Sequence, residues 1–179
     1  RPSREEVARH YDDLDMWYRE IWGDHLHHGL WLTGGETPDS AVEQMVERVA
    51  ELAAIGPGSR VCDVGCGYGA TARLLAERFG ADVTGFTISA SQHRYAEGVG
   101  GERLRFVCSD WLQNAVPDES FDAVVSIECA SPIEDKQRWL EEMHRTLRPG
   151  GRVGFTAWLS NPMASPWQRR HLLEPICRE

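Results

Sequence analysis

The run VCDVGCGYG at residues 61–69 restricts this chain more than any other stretch, because three glycines alternate with other residues between an apolar segment and a helical one. Glycine lets the backbone take positive φ and lets N–H groups come close to a ligand, and the N-terminus of the following helix adds partial positive charge. A strand, glycine turn and helix of this kind needs a sheet around it, and the flanking residues supply one.

Strands are expected at 60–64 (RVCDV), 81–86, 104–108, 121–127 and 152–158, with helices at 70–79, 89–97 and 134–147, the last ended by RPGG at 148–151. Strands separated by helices of roughly ten residues imply right-handed crossovers, so the fold class is α/β with a doubly wound, mainly parallel sheet. Ligands of such sheets lie beyond the carboxyl ends of the strands. Upstream, Val7, Tyr11, Leu14, Trp17, Tyr18 and Ile21 space one unusually aromatic helical face over 3–21, and the Gly- and His-rich 23–31 reads as loop. A second helix starts at Thr37 as cap with Pro38 behind it, burying Val42, Met45, Val46, Val49 and Leu52. The expected division is an N-terminal helical cap or lid at 1–56, a Rossmann-like cofactor-binding domain at 57–158, and a tail at 159–179 with a short helix. A sheet stopping at residue 158 would leave its fifth strand with a bare edge, so further C-terminal strands are expected beyond the tail, and the missing initial Met suggests residues upstream.

At 179 residues one domain can bury a sizeable core. A formal charge of −9 argues against a nucleic-acid partner, whose phosphates need clustered Lys and Arg, and leaves a small-molecule substrate or a protein partner. The five cysteines show no paired spacing, which suits a reducing cytoplasm, with Cys62 and Cys108 as small core residues. No apolar run is long enough for a membrane span, and oligomeric state is left open. His25, His27 and His28 lack the cysteine or carboxylate partners of a zinc site, so no metal is assigned to them.

Gly65, Gly67 and Ala70 fit the dinucleotide pattern GxGxxA, but that use also needs an acid at the end of the second strand, about 20 residues on. The only acid of that strand, Asp82, stands at its start. Asp63, by contrast, ends the first strand, where a carboxylate can meet the ammonium of an amino-acid-bearing cofactor; its other use would be to cap the next helix. Asp110 and Trp111 follow the third strand, where they can bond an adenine edge and cover its face, or serve as a turn cap and a core residue.

The motif VCDVGCGYG resembles the first motif of class I S-adenosylmethionine-dependent methyltransferases, and LRPGGR at 147–152 resembles their late signature. HHGLW at 27–31, VTGFTISASQ at 83–92 and SIE at 126–128 are similar to the small-molecule branch that includes tocopherol and sterol methyltransferases and cyclopropane fatty acid synthases. The resemblance implies a Rossmann-like fold binding S-adenosyl-L-methionine through Asp63, Gly65, Cys66, Gly67, Gly69, Thr87, Ile88, Gln92, Asp110, Trp111 and Glu128. Thr87 and Gln92 inherit the ribose contact, which accounts for the acid missing from strand two. It further implies methyl transfer to O, N or C of a small apolar metabolite, or cyclopropane-type lipid modification, or binding without catalysis.

Methyl transfer from a sulfonium is an in-line displacement, so alignment and exclusion of water matter more than strong acids or bases. A hydroxyl acceptor still needs a base, and His28, His27 and Glu128 are the candidates in that order; Pro132 stands where the branch often has a histidine. The aromatic helix face has three open uses: core, wall of an apolar substrate pocket, or cage for a quaternary ammonium.

Overall fold

The computed structural model describes residues 3–159, 161 and 163–173. Five strands, β1 (Arg60–Val64), β2 (Asp82–Thr87), β3 (Leu104–Cys108), β4 (Phe121–Ile127) and β5 (Leu147–Thr156), form one sheet in the order β3-β2-β1-β4-β5. Every pairing is parallel. The chain runs outward from β1 to β3, returns across the sheet, and continues outward through β4, so the order reverses between β1 and β4. That switch opens a crevice at their carboxyl ends.

Strand alternation sends side chains to two cores. Val61, Val83, Ala123 and Val125 pack with α3 (Pro38–Leu52), α4 (Ala70–Phe79) and α5 (Ala90–Gly98) through Val49, Leu75 and Ala96. Cys62, Val64, Phe86 and Val124 face the other way, onto Trp139 and Met143 of α6 (Lys136–Thr146). Burial on both faces explains why the strands are apolar nearly throughout. Asp63 is a charged exception in the middle of this pattern.

Several expectations need correction. The predicted 3–21 helix breaks at Leu14, whose ψ of 8° closes α1 (Arg4–Asp13) before α2 (Asp15–Ile21) begins. Neither helix buries a side chain, so no core packing holds them straight. The buried stripe of α3 is Ala41, Val46, Val49 and Ala50, whereas Leu52 is exposed. Cys108 is exposed because β3 is an edge strand, whereas Cys62 lies in the core as expected. The RPGG segment belongs to β5: Phe121 pairs with Leu147 and Ala123 with Arg152, so the four residues between bulge at the amino end of the strand, far from the crevice. The tail's expected short helix is present as α7 (Pro166–Gln168) and a π-helical turn over Arg169–Leu173, while Cys177 lies outside the described residues.

Polar contacts instead seat α1 and α2 over the crevice. Asp12 Oδ1 accepts from Ser89 Oγ at 2.6 Å and the Ser91 N–H at 3.0 Å, and Asp15 Oδ1 accepts from the Tyr68 hydroxyl at 2.9 Å.

The glycine turn is required by the protein's own packing as well as by any ligand. Gly69 has φ +81°, and a Cβ there would lie 2.7 Å from the Phe106 ring. Gly69→Ala should therefore cost roughly 3 kcal/mol from left-handed strain and overpacking. For a domain of this size we expect the thermal midpoint to fall by roughly 6–12 °C. Scanning calorimetry checks it, and an unchanged midpoint would show that this turn relaxes freely.

Candidate functional site

Two adjoining cavities occupy the crevice. The larger, about 760 Å³, is bordered by the ends of β1, β2 and β4, by the Ser109–Leu112 segment and by α1. That volume suits a cofactor-sized molecule together with an acceptor. The smaller, about 30 Å³, lies between the glycine turn and residues 24–27, and Thr71 in the first turn of α4 borders it. Leu26, Gly65, Gly67 and Ile127 line both, forming the partition between them.

Asp63 faces the small cavity. It is 2% exposed, and its Oδ2 has no hydrogen-bond partner among the described residues. Burial pushes its carboxyl up to about 7. A buried carboxylate oxygen left unpaired costs stability, so its natural complement is a cation or a strong donor. The capping alternative has no bond behind it: α4 is preceded by Gly69, which has no side chain to cap it, and Asp63 Oδ2 reaches no N–H among the described residues, leaving the first N–H groups available to a ligand's oxygens.

Gly65, Gly67 and Gly69 all adopt positive φ. A Cβ on Gly65 would strike the Cys129 sulfur at 2.3 Å, whereas one on Gly67 would find only Leu26 at 3.9 Å and project into cavity space. Cys66 packs beneath the turn, against the space left by Gly85.

At the end of β2 the Ser89 N–H donates to Thr87 Oγ1 at 3.2 Å, and the Thr87 hydroxyl donates to Gln92 Oε1 at 2.7 Å. Those bonds set the orientation of the buried Gln92 amide, leaving its NH₂ as a donor on the cavity wall beside Ile88. Asp110 caps the 3₁₀ turn Trp111–Gln113 with Oδ1, which accepts from the Leu112 N–H at 2.9 Å, and its Oδ2 lies 3.6 Å from Arg4. Trp111 lines the cavity with one face but is mainly core, edge-on to Phe86 at 5.3 Å and donating its indole N–H to the Trp139 carbonyl. Both the capping and core readings of this pair hold, alongside their place on the cavity wall.

The three histidines separate sharply. His27 donates from Nδ1 to the His28 carbonyl at 2.9 Å, and its Nε2 accepts from His25 Nδ1 at 3.2 Å. Both of its nitrogens are therefore engaged; it is buried, and burial holds its pKa below the usual histidine range. A base needs a free lone pair, and His27 offers none in this arrangement. His28 instead meets Glu128 across 100 residues, Nδ1 to Oε2 at 3.0 Å, and its Nε2 has no hydrogen-bond partner among the described residues. Its side chain is 47% exposed and sits at the rim, edge-on to Trp22 at 5.3 Å and to Trp158 at 4.7 Å. Glu128 ends β4 in left-handed conformation, φ +54°, and lines the large cavity. Backbone strain at such a place accompanies functional positioning.

Of the aromatic helix face, Val7 and Tyr11 line the cavity; Tyr18 lies tilted against Tyr11 at 5.6 Å between ring centroids, and Trp17 and Trp22 are exposed. Burial, with Tyr18 and Cys129 adding, pushes the Tyr11 phenol up to about 12, so it is a neutral donor. Among the described residues no group of three or more His, Cys, Asp or Glu side chains could hold a metal ion, and no helix is long and apolar enough to cross a membrane. Sequence reasoning missed Thr71, Asp24 and Arg4, whose places depend on how the cap sits against the sheet. Thr71 had one local signal, its position two residues past the last glycine.

A five-stranded parallel sheet with a glycine turn at its switch point, a buried acid before that turn and no acid after β2 is the fold of class I S-adenosylmethionine-dependent methyltransferases. A family model described as a methyltransferase domain matches residues 62–155, and the chain belongs to that family. The chloroplastic tocopherol O-methyltransferase of Arabidopsis thaliana is 30% identical to it over 98% of this chain and 57% of that protein. The 27-O-demethylrifamycin SV methyltransferase of Amycolatopsis mediterranei (strain S699) is 31% identical over 90% of this chain and 61% of its own length. Among solved structures, the 4+2 cyclase SpnF superposes with a TM-score of 0.82 at 30% identity, covering 87% of this chain and 60% of that one. The chain thus spans about three fifths of the length of these relatives.

Proposed function

We propose that this chain binds S-adenosyl-L-methionine and directs its methyl group to an oxygen, nitrogen or carbon atom of a small, uncharged, apolar acceptor. The unpartnered Asp63 oxygen buried beneath the glycine turn carries this reading, because an ammonium satisfies it and a pyrophosphate does not. When bound, the cofactor supplies an electrophilic methyl on a sulfonium sulfur. Asp63 holds the amino group, the turn from Gly65 to Gly69 lies along the cofactor, the Gln92 amide donates to a ribose hydroxyl, and Asp110 with Trp111 borders the adenine. Glu128 orients His28, whose Nε2 takes the acceptor's proton, and Tyr11 steadies the acceptor.

The acceptor's charge follows from the cavity wall. Among the described residues, Asp110, Glu128, Glu134 and Asp135 line it against a single cation, Arg4, which is drawn to Glu5 and Asp110. Lys136 nearby donates its ammonium to the carbonyls of Ala130, Ser131 and Ile133. An anionic acceptor would meet net repulsion here. The four described cysteines are free thiols, which suits a reducing, cytoplasmic setting.

Calorimetry with S-adenosylhomocysteine and with NAD tests the cofactor; tight binding of NAD alone would sink the reading. Methyl transfer from labelled cofactor to a panel of phenol, alcohol and amine acceptors, each with a matched phosphate ester, tests the rest. Gln92→Ala should weaken S-adenosylhomocysteine binding about tenfold, the worth of one buried hydrogen bond. An affinity within twofold of wild type would remove Gln92 from the ribose contact.

A further inference from the structure

The small cavity is lined by His25 of the N-terminal cap as well as by Asp63 and Thr71 of the sheet domain. Histidine tautomers here follow from geometry. The His28 carbonyl can only accept, so His27 carries its hydrogen on Nδ1, and the neutral ring's Nε2 must accept. His25 therefore carries its own hydrogen on Nδ1, pointed at His27, and its Nε2 is left as a lone pair. Burial, then His27 and Arg73, holds His25 down to about 4, so this arrangement persists at neutral pH.

The segment that brings His25 to the cavity is anchored. Asp24 Oδ2 accepts from Arg73 of α4 at 2.7 Å, and its Oδ1 accepts from the Tyr95 hydroxyl of α5 at 2.9 Å. Arg73 in turn donates to the Tyr68 carbonyl at 3.0 Å, within the glycine turn. One anchor thus ties residues 24–27 to the turn whose ligand they face across the small cavity. That cavity, about 30 Å³, holds a group the size of one water or one ammonium.

We infer that His25 is a cofactor-positioning residue: it closes the small cavity from the cap side and, with Asp63, accepts hydrogen bonds from the amino-acid end of the bound cofactor. This rests on the proposed function and extends it, because an ammonium has three donors and Asp63 Oδ2 accounts for only part of them. It also makes the cap part of the cofactor site.

The test pairs two ligands that differ only at that end: S-adenosylhomocysteine, and 5′-methylthioadenosine, which lacks the amino and carboxyl groups. Calorimetry on the whole chain should show His25→Phe weakening S-adenosylhomocysteine on the order of tenfold, as expected for a lost bond to a charged group. Methylthioadenosine affinity should stay within twofold, which also reports that the variant folds. His25→Gln, which restores an acceptor, should recover most of the loss. Equal weakening of both ligands, or no weakening of either, overturns the assignment of His25 while leaving the proposed function standing. Failure of the wild-type chain to bind S-adenosylhomocysteine overturns both.

Discussion

Asp63→Asn is expected to move stability and cofactor affinity in opposite directions. In the ligand-free protein the carboxyl is fully buried and raised from 3.8 to about 7, a span of roughly three units and on the order of 4 kcal/mol. A carboxyl raised on folding stabilises the protein fully below its unfolded value, and that stabilisation is lost as pH rises through the folded value. Between pH 4 and 7 the ligand-free chain should therefore lose stability with rising pH. The amide cannot ionise, so Asp63→Asn should flatten this slope and raise ligand-free stability at pH 7.5 by roughly 1–3 kcal/mol, the buried amide's own unmet bonds taking the remainder. Affinity for S-adenosylhomocysteine should fall about 100-fold, because a buried charge-assisted bond is lost. Wild-type affinity should climb about tenfold per pH unit up to pH 7 and then level, since the acid must release its proton to hold an ammonium, and the variant should show no such climb. Thermal unfolding and calorimetry from pH 5 to 8 measure both. Affinity within threefold of wild type would place the amino group elsewhere.

What could be read before the structure was whatever depends on neighbours in sequence. Alternation of strand and helix, the three glycines and the acid before them are local patterns, and Ser89 as cap of α5 and Thr37 as cap of α3 are where local rules put them. The misplacements come from long-range order. Cys108 looks like core until the strand order makes β3 an edge. The 3–21 helix looks continuous because its apolar spacing is, yet with no buried side chain its course is set by Asp12 and Asp15 reaching residues more than 50 positions away. Trp111 does line the cavity, but how far it also reaches into the core depends on β2 and α6 partners that lie in other parts of the chain. Likewise no spacing rule tells which of His25, His27 and His28 keeps a lone pair toward which cavity; only the carbonyl of His28 and the carboxylate of Glu128 decide it.

His28→Ala should lower turnover on the best acceptor of the panel by about 100- to 1,000-fold, the usual worth of a positioned base, with S-adenosylhomocysteine affinity within threefold of wild type. The split follows from location: His28 sits at the rim between Trp22 and Trp158, where it meets an acceptor that reaches the rim, and it lines neither cavity, so its loss removes no cofactor contact. Glu128→Gln keeps an acceptor for His28 Nδ1 and leaves the strained backbone intact, and it should cost about tenfold, since a neutral amide holds the ring less firmly than a carboxylate. Because the two act as one unit, the double variant should be little worse than His28→Ala alone. Trp158→Ala should mainly raise the acceptor's KM, because the exposed indole, edge-on to His28 at 4.7 Å, offers apolar surface against which an acceptor at the rim can pack. Steady-state kinetics on the four variants separate these roles. If His28→Ala turns over at the wild-type rate, the proton leaves by another route and the pair with Glu128 serves only to hold the cap against β4.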